Sequence, residues 1–404
     1  MFKCRCCGSS FVQSIIPLGK LPLANALLSS VDNIKEQYYN LEVMLCENCG
    51  LAQLRDLIDP KNMFSEYVYF SSNSDTMLKS AADLVEKTRP KLQDDALIIE
   101  IASNDGYLLK NYVKNNIKVL GIDPAQNIAK VANENGIFTL CEFFGVDLAF
   151  RLAEEGKKAD VVHANNVMAH VPEINGFIKG IKHILKHNGQ AIIEVPYFFD
   201  LIKKLEFDTI YHEHVFYFTV KSLKFAFQSQ GLEIFDIEKI AIHGGTLRLF
   251  VGHAGVFDIK PIINVMIDEE VAFGLSQLET YEHFMHGLQK LHKQLHQILG
   301  ELKLKKLKIA AYGASAKGTT LLNFFGIDSN YLDFVVDKSI VKQDLYTPGT
   351  HLKIKAPKAL QEEAVDYALL LTWNFAEEII EQQQPFVQNN GKFIIPLPEV
   401  RVVP

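Results

Sequence analysis

The stretch Leu97-Ile-Ile-Glu100-Ile-Ala-Ser-Asn-Asp-Gly106 decides how this chain folds. A short apolar run ends in a turn of small and polar residues, and that turn opens a helix, which is how a βαβ unit begins. Lys118-Val-Leu-Gly-Ile-Asp123 repeats the pattern about 20 residues on, the spacing of consecutive strands in such a unit. Further apolar runs at 160–163 and 190–195 alternate with helix-like stretches. The alternation predicts an α/β domain with a parallel sheet covered by helices.

The turn lacks the G-x-G-x-x-G of a dinucleotide site, and Glu100 at its start would repel a pyrophosphate. A carboxylate there suits a cationic amino-acid ligand instead. Asp123, at the end of the next strand, is placed to hold both hydroxyls of a ribose. S-adenosylmethionine has the ribose, a sulfonium and an ammonium; an ordinary α/β turn with incidental acids is the competing explanation. Asn165 and His170 lie on the loop after the third strand, where ligands bind in parallel sheets.

Upstream, residues 1–73 hold five of the six cysteines among many turn signals. Cys4-Arg-Cys-Cys7-Gly8 and Cys46-Glu-Asn-Cys49-Gly50 are two C-x2-C knuckles, whose thiolates converge on one tetrahedral ion. Cys4, Cys7, Cys46 and Cys49 are therefore candidate zinc ligands, with Cys6 as an alternative to Cys7. Four thiolates leave no open position, so the zinc is expected to be structural. Cys141 stands alone after a strand-like run and is expected to be buried.

Downstream, Tyr211-His-Glu-His214 is the densest group of proton-handling side chains. In an extended strand Tyr211 and Glu213 would face away from His212 and His214, whereas a loop lets them converge. The spacing excludes the helical H-E-x-x-H metal site. His243-Gly-Gly-Thr-Leu-Arg248 reads as a glycine turn with a cation that meets substrate, or as a plain hairpin. Residues 262–303 read as one or two long helices. Tyr312-Gly-Ala-Ser-Ala-Lys317-Gly then starts a second strand–turn–helix unit, whose helix start and Lys317 favour a diphosphate. The lysine precedes the second glycine, unlike in an ATP-hydrolysing P-loop.

At 404 residues, two or three domains are expected: 1–73, 74–258 and 259–404. The net charge of −7 gives no basic footprint for nucleic acid, and no apolar run reaches the length of a membrane span. The start lacks the apolar core of a secretory signal, so a cytoplasmic protein is expected, with its cysteines as thiols or metal ligands.

In this order, the cysteine pairs, Pro22-Leu-Ala-Asn25, Tyr67-x-Tyr69-x-Ser-Ser, Glu100 to Gly106, Tyr211 to His214, Gly244 to Arg248 and Tyr312 to Gly318 resemble the nucleotide-sugar C-methyltransferase family across nearly the whole chain. The resemblance implies a zinc-binding N-terminal domain, a central Rossmann-like S-adenosylmethionine domain and a C-terminal Rossmann-like domain that helps hold a dTDP- or GDP-linked keto sugar. It implies methylation at C-3, the carbon beside a 4-keto group. It makes His214 the general base, with Glu213 and Tyr211 positioning substrate or stabilising an enolate, and His170 with Tyr67 or Tyr69 lining the pocket. Glu100, Ala102, Asn104, Gly106, Asp123 and Asn165 would bind cofactor; Lys317, Tyr312 and Arg248 would meet substrate. A monomer or small homo-oligomer is expected. The rival expectations are an NAD-dependent oxidoreductase or epimerase, and a non-catalytic zinc-ribbon binding protein.

Overall fold

Three sheets organise the chain in the computed structural model, which describes residues 2–32, 35–59, 70–240 and 244–404. Tyr67, Tyr69 and His243 lie outside the described residues.

The central sheet contains β4 (Leu97–Ile101), β5 (Lys118–Ile122), β6 (Thr139–Leu140), β7 (Ala159–Asn165), β8 (Leu185–Pro196), β10 (Leu232–Ile240) and β11 (Thr246–His253). Its strand order is β10-β11-β8-β7-β4-β5-β6, parallel from β8 to β6, with β11 and β10 added antiparallel. Apolar strands such as β4, with Ile98 and Ile99 sealed from solvent, need helices on both faces. The helix Asp75–Thr88 supplies part of that cover. Ser74 caps it by accepting the Met77 N–H, and Met77, Ala81, Leu84, Val85 and Thr88 recur at helical spacing on its buried face. Leu84→Ala there would cost about 2–5 kcal/mol.

The N-terminal sheet pairs β1 (Val12–Pro22), β2 (Tyr38–Cys46) and β3 (Ala52–Leu54) antiparallel, and its fourth strand, β9 (Phe216–Tyr217), comes from the central part of the chain. The zinc-type unit is thereby woven into the segment that follows His214. The Leu54 N–H donates to the Val215 carbonyl at 2.8 Å, and the Val215 N–H donates to the Ala169 carbonyl at 2.8 Å.

Two helices, Ile262–Phe273 and Leu278–Leu304, lead to the third sheet; they separate at Gly274, whose φ of 86° ends the first. That sheet holds β12 (Ile309–Tyr312), β13 (Val335–Val336), β14 (Ile354–Lys355), β15 (Tyr367–Leu370), β16 (Lys392–Ile395) and β17 (Arg401–Val403). The order β14-β13-β12-β15-β16-β17 is the 3-2-1-4-5-6 order of a dinucleotide fold, with β17 antiparallel. Among the described residues no helix is long and apolar enough to cross a membrane.

Candidate active site and metal centre

The two cysteine knuckles are built alike. Gly8 and Gly50 take φ of 73° and 74°, and their N–H groups donate back to the Cys4 and Cys46 carbonyls at 2.9 Å. The sulfurs of Cys4, Cys7, Cys46 and Cys49 all lie within 4.8 Å of one another, with Cys4–Cys49 at 3.6 Å and Cys7–Cys46 at 3.5 Å. A zinc tetrahedron with bonds of about 2.3 Å has edges of about 3.8 Å, so this set fits the ion. Cys7, not Cys6, completes it. The Gln53 amide donates to the Cys4 sulfur at 3.2 Å, linking the cluster to β3.

A cleft of about 490 Å³, an ordinary size for a small-molecule site, opens between the three units. The central sheet contributes Ala102, Asn104, Asp123 and Asn165 at the carboxyl ends of its strands. The Asp123 carboxylate accepts the Asn104 N–H at 3.0 Å and the Ala125 N–H at 2.9 Å, which fixes it at the end of β5. Ala102 and Asn104 adopt φ of 56° and 49°, so the backbone folds tightly around the cleft floor. The Asn104 side chain also accepts the Ser71 N–H at 2.9 Å, drawing the segment before the helix Asp75–Thr88 over the same floor.

Glu100 and Gly106 sit behind this surface. Glu100 is sealed in beneath the turn with Oε2 unpartnered; burial, then Asp123 and Asp105, hold its carboxyl well above the usual range. Burial raises Asp123 to about 6, against the backbone N–H groups that lower it. Among the described residues neither acid forms an ion pair. Asp123, fixed by two backbone N–H groups at the end of β5 in the cleft lining, suits the hydroxyls of a ribose, so these residues fit S-adenosylmethionine. Gly106 serves packing: with φ 81°, a Cβ there would lie 2.8 Å from Ile137.

Another wall of the cleft carries Tyr211, His214 and His170. A turn closed by the His214 N–H on the Tyr211 carbonyl brings these two side chains together and sends His212 away to the Tyr39 carbonyl. His214 Nδ1 lies 2.8 Å from the Thr209 carbonyl, which can only accept, so Nδ1 holds the hydrogen and Nε2 holds the lone pair. The Tyr211 hydroxyl, 2.8 Å from Nε2, donates to it. The His170 ring packs edge-on against His214 at 4.7 Å, and burial lowers it to about 4, leaving a neutral and weakly basic imidazole. Glu213 lies behind the wall, where its Oε1 accepts from the Asn25 amide at 2.6 Å.

The C-terminal unit lines the cleft with Tyr312, Lys317 and Asp337. The Lys317 ammonium stands 4.8 Å over the Trp373 ring, and Trp373 Nε1 donates to buried Asp208 at 2.6 Å.

Arg248 does not reach the cleft, contrary to its expected substrate contact. It is held inside the sheet by Glu194 at 2.7 Å and Glu238 at 3.3 Å, since β11 pairs with β8 and β10 on either side. Cys141, expected to be buried, is exposed, because β6 is an edge strand that ends just before it. Asn25, Asp337 and Trp373 had no assigned role in the sequence. Asp337 had a readable signal, since it follows the second small-residue turn at the same kind of spacing as Asp123 follows the first.

Three family models match: a putative zinc-binding domain over residues 4–64, a methyltransferase domain over 75–237 and a C-methyltransferase C-terminal domain over 241–398. The C-methyltransferase NovU of Streptomyces niveus is 33% identical over 99% of this chain and 96% of its own length. A sterol 4-C-methyltransferase of Caenorhabditis elegans is 26% identical over 34% of this chain and 40% of its own. The crystal structure of magnesium protoporphyrin IX methyltransferase from Synechocystis, 12% identical, covers 43% of this chain and 77% of its own with a TM-score of 0.33.

Proposed function

Because this chain belongs to the S-adenosylmethionine-dependent C-methyltransferase family, we propose that it methylates C-3, the carbon beside the 4-keto group, of a dTDP- or GDP-linked deoxy sugar, in the cytoplasm, for branched-sugar biosynthesis. The observation that supports this proposal is the Tyr211–His214 pair, whose Nε2 accepts from the Tyr211 hydroxyl in the lining of the same cleft that Asp123 and Lys317 line.

A carbon beside a ketone becomes a nucleophile when it loses a proton, because the charge moves onto the carbonyl oxygen as an enolate. His214 is the base in this proposal. Its Nδ1–H is committed to the Thr209 carbonyl, and that bond stabilises the imidazolium formed when Nε2 takes the proton. The Tyr211 hydroxyl rests on Nε2 and turns to the enolate oxygen as the proton is taken. His170 is too weak a base to compete, and it serves as a neutral hydrogen-bonding wall. Glu213, tied to Asn25, positions the loop from behind. S-adenosylmethionine supplies the electrophilic methyl group, and Asp123 would accept its ribose hydroxyls while Ala102, Asn104 and Asn165 line its bed. Tyr312 and Lys317 would meet the diphosphate. Zinc would be held by Cys4, Cys7, Cys46 and Cys49 and would order the N-terminal sheet.

The test is incubation of the purified protein with S-adenosylmethionine and a panel of dTDP- and GDP-linked 4-keto-6-deoxy sugars. Mass spectrometry should show a gain of one methyl on carbon for a member of the panel. Methylation on oxygen, or binding of S-adenosylmethionine with no turnover of any keto sugar, would refute the proposal.

A further inference from the structure

The N-terminal unit reaches the cleft at one place. Among its described residues, 2–32 and 35–59, Asn25 alone lines the cavity. It stands just past the end of β1, on a turn in which the Ala26 N–H donates to the Leu23 carbonyl at 3.2 Å and the Leu27 N–H to the Asn25 carbonyl at 2.9 Å. Both flanks of that turn are pinned. Before it, Pro22 sits opposite Tyr38 in the β1–β2 register; after it, Leu28 exchanges backbone hydrogen bonds of 2.9 and 2.8 Å with Tyr346 of the C-terminal unit. Glu36 ties the same segment to that unit again by accepting the Gly349 N–H at 2.9 Å. Asn25 is thus carried on backbone fixed from two sides, which holds a short side chain in one place.

Its side chain meets the third unit. The Asn25 Nδ2 donates to Glu213 Oε1 at 2.6 Å, and Glu213 is buried next to His214 in the chain. A carboxylate oxygen accepts, so this bond fixes which end of the amide is which: the NH2 faces Glu213, and Oδ1 and the second N–H are left over. Among the described residues neither of these has a protein partner. One acceptor and one donor on a half-buried cleft residue are what a hydroxyl completes, because a hydroxyl both gives and takes a hydrogen bond. The bond to Glu213 also polarises the amide toward Oδ1, which strengthens it as an acceptor for a neutral hydroxyl and makes it a poor neighbour for an enolate oxygen.

We propose that Asn25 is a specificity-determining residue for the methyl transfer: its amide binds a ring hydroxyl of the sugar and selects keto sugars that carry this hydroxyl over those that lack it. This rests on the substrate being a nucleotide-linked keto sugar. The hydroxyl is one that the reaction leaves untouched, so the contact is made equally before and during methyl transfer and acts on KM rather than on kcat. A deoxy analogue leaves the amide unpaired, and losing one such hydrogen bond corresponds to about a tenfold rise in KM. The zinc-type unit then supplies a group that reads the substrate, besides supporting the segment after His214.

Steady-state kinetics with the accepted member of the keto-sugar panel, and with its analogues lacking one ring hydroxyl at a time, tests this on the full chain and on Asn25→Ala, with S-adenosylmethionine titrated by calorimetry in parallel. In the unmodified protein one analogue should raise KM about tenfold. In Asn25→Ala the parent sugar should show the same rise and that analogue should cost nothing further, with kcat changed by less than about threefold and cofactor affinity unchanged. Asn25→Ser, which keeps a hydroxyl donor at this position, should behave alike, and it takes the place of the alanine variant if that one does not fold. Analogues with the KM of the parent sugar in the unmodified protein would overturn the inference, whatever the fate of the variants. So would a discrimination that survives both substitutions, or a loss confined to kcat, which would leave Asn25 as a prop for Glu213. If S-adenosylmethionine binds and no member of the panel is methylated, the keto-sugar substrate falls, and the inference with it.

Discussion

The Tyr211 hydroxyl lies 2.8 Å from Nε2 of His214, and Nδ1 of the same ring lies 2.8 Å from the Thr209 carbonyl. The ring is thus fixed in one tautomer, with its basic nitrogen against the Tyr211 hydroxyl in the cleft lining. His214→Asn removes the proton acceptor and should lower kcat by about 10²–10⁴-fold, the usual range for a general base. Tyr211→Phe leaves the proposed base and removes the proposed donor to the enolate, so a smaller loss of about 10²-fold is expected. Cofactor affinity by calorimetry should stay within about twofold in both, because neither side chain faces Asp123 across a bond. Unchanged single-turnover rates in His214→Asn would remove it from the proton chemistry.

Asp123 gives the cofactor site a pH dependence of defined sign. Burial raises its carboxyl to about 6, so between about pH 4 and 6 the folded, ligand-free protein holds a proton that the unfolded chain has released. Stability of the ligand-free protein contributed by this group therefore falls as pH rises through that window. On the proposed reading, in which the ionised acid accepts ribose hydroxyls, affinity for S-adenosylmethionine runs the other way. It should weaken below pH 6, approaching about tenfold per pH unit. Calorimetry and thermal melts from pH 5 to 8 check both, and Asp123→Asn should flatten both slopes; slopes that persist would assign them to another group.

The parts legible from sequence were those set by local rules. Residues 97–101 and 118–122 are strands because apolar runs of that length between turn residues have few alternatives, and the four thiols meet because each C-x2-C–Gly is a self-contained knuckle. What escaped was set by long-range pairing. Arg248 reads as an exposed cation beside a glycine turn, and only the antiparallel addition of β11 to β8 places it against Glu194. Likewise nothing local indicates that β9, two residues long, leaves the central unit to pair with β3. The convergence of Tyr211 with His214 depended on a turn that periodicity alone left open.

That β3–β9 pairing joins the four-cysteine unit to the segment after His214, so on the proposed reading loss of zinc should be felt at the catalytic wall. Gln53 touches the Cys4 sulfur and pairs with Phe216, and Leu54 holds Val215, the residue after His214. Cys46→Ser should therefore lower zinc content from about one per chain, lower the melting temperature and reduce kcat by about tenfold, with cofactor affinity nearly unchanged. Elemental analysis, melting and steady-state kinetics on one preparation test the linkage. Full activity in a zinc-free, folded protein would show that the catalytic loop holds its shape without the cluster.

Trp373 couples the C-terminal cation to the central unit. Its indole N–H donates to Asp208, which is fully buried, while its ring face lies 4.8 Å beneath the Lys317 ammonium. Burial raises the Asp208 carboxyl and Lys317 lowers it, so the lysine, the ring and the acid form one cluster. Trp373→Phe keeps a ring face and loses the N–H; the melting temperature should fall, because a hydrogen bond to a buried charged acceptor is worth about 1.5–3 kcal/mol, while KM for the nucleotide sugar should change by less than about threefold. Trp373→Ala removes the face as well, and KM should rise about tenfold, as in Lys317→Ala, with cofactor affinity unchanged. If the ring acts by aiming the ammonium, the double substitution should be little worse than either single one, because each alone has already abolished the same contact. Fully additive losses in KM would mean that Lys317 and Trp373 act on substrate independently, and that the indole merely fills space between the units.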